Sequence, residues 1–195
     1  MVLFLFFALA LISSYAFIGA GIKYIDQIVD HQRNSRKNSL SSWLLTFCLT
    51  LVTSLWVFLD RFSAILAFAL ILGLLGTRKV DNHYFIVIAL VVLPACVITL
   101  VQVNLFILLA SLLPLIVSAI ADELLHNTAL KITNRYVQWV CVHRPLLKIV
   151  VIILPFFSLL TFTHAIAFWS FDLAYDFVAY HFRAVNLVAN EGLSP

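Results

Sequence analysis

Two stretches of the chain set carboxylates and a histidine at helical spacing. Ala20 to His31 holds Asp26 and Asp30, and Ser118 to Asn127 holds Asp122, Glu123 and His126. Residues four apart share one face of a helix, so Asp26 aligns with Asp30 and Asp122 with His126. Each group stands where a long apolar run stops. Carboxylates at a helix C-terminus oppose the helix dipole, so their recurrence there argues for something positive bound nearby. Magnesium fits that need, because it is usually held by one or two carboxylates together with substrate phosphates. On this reading Asp26, Asp30 and Asp122 hold the ion and Asp81 assists. His126, oriented by Asp122, is the candidate general base, so the pair is the catalytic expectation. Lys23, Arg78 and Lys79 would neutralise substrate phosphates. The plainer alternative is that the acids begin solvated loops and Arg78 is a membrane anchor.

The elements that must position these residues follow from composition. The 195 residues are 64% hydrophobic and 11% charged. A soluble domain is roughly half apolar and about a quarter charged. Such a chain needs lipid as its solvent, which leaves helices or a closed barrel. The apolar runs are too long and too uniform for barrel strands. The expectation is an all-α, polytopic transmembrane bundle forming one domain over 1–182, with a loose tail over 183–195. Cys48, Cys96 and Cys141 show no metal or redox spacing and read as packing residues.

Six spans are expected: Val2–Ile22, Trp43–Leu59, Phe62–Gly76, Tyr84–Val101, Leu105–Ala121 and Leu146–Phe168. Asp60 and Arg61 mark a tight hairpin, since a charge at the bilayer centre costs at least ~2.5 kcal/mol. Interfacial helices are expected near 124–142 and 169–182. On this map only Arg61 and Arg183 among the basic residues fall on one side. The basic loops are therefore expected in the cytoplasm and both termini opposite.

The chain has no Gly-rich phosphate loop, HExxH or GxSxG. The D-x2-D-G-x2-A-R signature of the CDP-alcohol phosphotransferases also has no counterpart. The function expected first is a divalent-metal-dependent enzyme, a lipid-phosphate or prenyl transferase. It would act on a phosphate- or diphosphate-bearing lipid at the cytoplasmic face. The rivals are a non-catalytic subunit or scaffold, and a cation or proton transporter. Membrane lipid is the expected partner, an oligomer or partner subunit is compatible with the sequence, and nucleic acid is not expected.

Overall fold

The computed structural model describes residues 2–32, 39–77, 82–129, 134–142 and 145–191. Arg78, Lys79 and Asp81 lie outside them, as does the side chain of Asp30. Every described element is helical, and no strand occurs among the described residues. The helices are Val2–Gln32 (α1), Ser39–Leu59 (α2), Arg61–Gly76 (α3), His83–Leu100 (α4) and Leu105–Ala129 (α5). Arg135–Val142 (α6), Pro145–Ile153 (α7) and Phe162–Glu191 (α8) follow, with a 3-10 turn over Leu154–Phe157.

Among the described residues, four helical stretches are long and apolar enough to cross a membrane: Val2–Val29, Leu40–Leu59, His83–Leu100 and Leu105–Thr128. They fit an integral membrane protein whose apolar helices contact lipid. The expected six spans are not confirmed by these four. The third expected span, α3, is apolar but has only 16 residues. At ~1.5 Å per residue it measures about 24 Å, short of a hydrocarbon core of ~30 Å.

The sixth expected span is not one helix. Pro155 lacks an N–H, so α7 gives way to the 3-10 turn. Ser158 then turns left-handed with φ 57°. Its N–H bonds Pro155 O at 3.1 Å, and Leu159 N–H bonds Leu154 O at 3.1 Å. Pro94 and Pro114, by contrast, lie inside continuous helices.

The interfacial helices also differ from expectation. Residues 124–129 continue α5, and only α6 stands separately, capped by the Asn134 side chain on Tyr136 N–H at 3.0 Å. The stretch 169–182 is part of α8. No glycine or proline occurs between Phe162 and Glu191 to stop that helix.

The chain packs as two compact units, Met1–Val52 with Ile166–Pro195, and Thr53–Ala165. In the first unit, α1 uses two glycines for close packing. A Cβ on Gly21 would come 2.7 Å from Leu49 of α2, and one on Gly19 would overlap the Phe171 carbonyl of α8. Small residues let helix backbones approach where lipid supplies no hydrophobic drive. On α2, Thr46 and Thr50 donate to the carbonyls of Ser42 and Thr46, each at 2.7 Å. The buried hydroxyls are thus satisfied within their own helix.

In the second unit, α3 packs on α4 and α5, and α5 packs on α6 and α7. Gly73 allows the α3–α5 approach, since a Cβ there would come 2.7 Å from the Ala119 Cβ. Ser111 of α5 donates to Leu159 O at 3.1 Å and ties down the turn beyond α7.

Candidate functional site

Asp122 was the residue on which most of the expected chemistry converged. It is buried, at 2% exposure. Its Oδ1 accepts from Leu146 N–H at 3.0 Å and its Oδ2 from Leu147 N–H at 2.7 Å. These are the first free donors of α7, because Pro145 at the helix start has none. Asp122 therefore caps α7 from another helix, with its negative charge at the positive end of the α7 dipole. The apolar run ends near Asp122, but the helix does not: α5 continues to Ala129. The dipole objection drawn from the sequence thus loses its basis at this position. His126, half-buried, follows one turn later on α5.

At the other stretch, α1 likewise runs past Asp26 and Asp30 to Gln32. Asp26 is paired with Lys23, one turn earlier, at 2.6 Å. The Lys23 ammonium also lies 5.0 Å from the centroid of the Tyr175 ring of α8. Beside it, Tyr24, Phe177, Val178, His181 and Phe182 line a mostly apolar groove of about 320 Å³. Of the expected site residues, Lys23 and Asp26 are brought into contact. Asp26 and Asp122 belong to different units. Among the described residues, no group of three or more His, Cys, Asp or Glu side chains is placed to hold a metal ion.

A third polar constellation joins Asp60 of the expected hairpin to His164 and Thr161. Asp60 has extended backbone and caps α3, its Oδ2 accepting from Ser63 N–H at 2.7 Å. Thr161 does the same for α8, accepting from His164 N–H at 3.3 Å. The His164 imidazole joins the two caps, with Nε2 2.6 Å from Asp60 Oδ2 and Nδ1 2.6 Å from Thr161 Oγ1. Burial disfavours the Asp60 charge. The imidazole's hydrogen bond and charge, with the Ser63 N–H and hydroxyl, outweigh it and hold the carboxyl below its ordinary value.

Carboxylate, imidazole and hydroxyl are the types of a proton relay. Here the carboxylate and the hydroxyl also cap helix termini, and both ring nitrogens are engaged. The local signal was present: Thr161-x-x-His164 has the spacing of a capping box, with histidine where Glu or Gln is usual and its ring on the Thr161 hydroxyl. Comparison of the chain with protein-family models, curated proteins and solved structures gives no match.

Proposed function

We propose that the protein is a non-catalytic membrane subunit, a helical scaffold whose buried polar groups fasten its own helices. The observation that carries this reading is the engagement of both Asp122 oxygens by the first turn of α7. A magnesium ion at Asp122 would have to compete with these two backbone donors. Asp60 and His164 support the same view, since each serves a helix cap.

A second reading is favoured by the α1 end, where Lys23 and Asp26 pair and the neighbouring Tyr24 lines the apolar groove. A cation and a carboxylate next to an apolar trough suit an amphiphile with a phosphate head. On that reading the chain is a metal-dependent enzyme acting on a phosphate-bearing lipid. The α1 end would then supply Asp26 and Asp30 for magnesium and Lys23 for the phosphate.

Manganese titration, followed by electron paramagnetic resonance on the purified protein, separates the two. The scaffold reading expects no stoichiometric site in the wild type. One site per chain, lost in Asp26→Asn, would overturn it in favour of the enzyme.

A further inference from the structure

We infer that α8 crosses the membrane beside α1 and in the same direction, so that both helices end on the same face. Four contacts within the first unit fix this. Ser170 Oγ donates to Ile12 O at 2.9 Å. The Phe171 carbonyl fills the space over Gly19. The Tyr175 ring lies 5.0 Å from the Lys23 ammonium, and the Phe182 ring lies 5.7 Å from that of Tyr24. Partner numbers rise together along both helices, as they do only for parallel neighbours.

These contacts also set the depth of α8. Ile12, Gly19, Lys23 and Tyr24 all belong to the apolar stretch Val2–Val29 of α1. A helix packed backbone to backbone against that stretch cannot lie flat along the membrane surface. From Phe162 to Phe182, α8 covers about 31 Å at ~1.5 Å per residue, enough for a hydrocarbon core of ~30 Å.

The occupant of its outer face is lipid, as a continuation of the apolar surface of α1. Ile166, Leu173, Phe177 and Tyr180 are 56%, 63%, 71% and 74% exposed. Trp169 adjoins them at 39%. What hides this span from a hydropathy reading is Asp172 and Asp176, which lower its mean while α1 offers Lys23 at the neighbouring level. Intramembrane carboxylates face protein interiors or water more often than lipid. Asp172 is half-buried, whereas Asp176, one turn later, is exposed.

On this inference the start of α1 and the end of α8 lie on opposite sides, where the sequence placed both termini on one. Single cysteines test this in a background with Cys48, Cys96 and Cys141 replaced by alanine. Ser35→Cys and Ser194→Cys are labelled with a membrane-impermeant maleimide in sealed cells, before and after permeabilisation. The expected result is that both react from the same side. Labelling of Ser194→Cys from the side opposite Ser35→Cys would overturn the inference. Should the background fail to accumulate, protease-cleavable epitopes at residue 35 and at the C-terminus of the otherwise native chain give the same two readings.

Discussion

Replacing Asp122 removes both side-chain acceptors from the first turn of α7. The bonds at 3.0 and 2.7 Å are charge-assisted. Such bonds contribute about 1.5–3 kcal/mol each, and loss of an ordinary N-cap costs about 1 kcal/mol. Leu146 and Leu147 are half-buried, so water can answer part of the loss. We therefore expect Asp122→Ala to destabilise by about 3 kcal/mol, and Asp122→Asn, which keeps one acceptor, by about 1–2 kcal/mol. At roughly 2–4 °C per kcal/mol for a chain of this size, Asp122→Ala lowers Tm by about 6–12 °C. Tryptophan fluorescence during heating in detergent reads this directly, since the chain has four tryptophans. The wild-type Tm should not respond to EDTA or to added magnesium. A Tm for Asp122→Ala within about 1 °C of wild type would refute the cap. So would a magnesium-dependent rise in Tm that Asp122→Asn abolishes.

Three further outcomes are expected. Gly19→Ala should destabilise by about 1–3 kcal/mol, because its Cβ meets backbone that cannot yield; limited proteolysis should then cut α8 sooner than in wild type. Gly73→Ala should lower Tm as well, and adding Ala119→Gly should restore part of the loss, since the clash is Cβ to Cβ. Asp60 has a folded-state pKa below its ordinary value, so its contribution is present above the unfolded value of about 3.9 and is lost as pH falls through the lower folded value. Tm should drop across that acidic window in wild type. An equally steep drop in Asp60→Asn would count against the cap pair.

How far the sequence could be read depends on the range of the interactions involved. Apolar runs and the Asp60 break were legible because both are local: a long apolar stretch must be helical in lipid, and Asp followed by a run at N3 spacing starts a helix. The capping contacts of Asp122 were not legible because its partners lie 24 and 25 residues away. One signal existed in Pro145, a helix-starting residue preceded by Arg144 and not by a capping type. That pattern says the acceptor must come from elsewhere, without saying where. The α8 stretch was assigned to the interface because acids and aromatics alternate there. Its depth depends on Gly19 and Ile12, more than a hundred and fifty positions away, which no local pattern records.

The two acidic stretches that look alike in sequence differ in what answers their charge, and the difference predicts different behaviour. Charge at membrane depth must be neutralised within the chain or by a ligand. Asp122 is answered by backbone N–H groups, which cannot move without unwinding α7. Asp26 is answered by Lys23, a flexible side chain whose ammonium can leave when an anion or cation arrives. A backbone cap behaves as structure, whereas a lysine partner can be exchanged. Ligand response, wherever it is found, should therefore follow Asp26 and not Asp122. Asp122→Asn should shift Tm and leave cation or phosphate titrations unchanged, while Asp26→Asn should barely move Tm and alter any titration the wild type shows. Both variants shifting Tm equally, with no difference in titration, would mean that the two carboxylates are alike after all and that the nature of the partner is irrelevant.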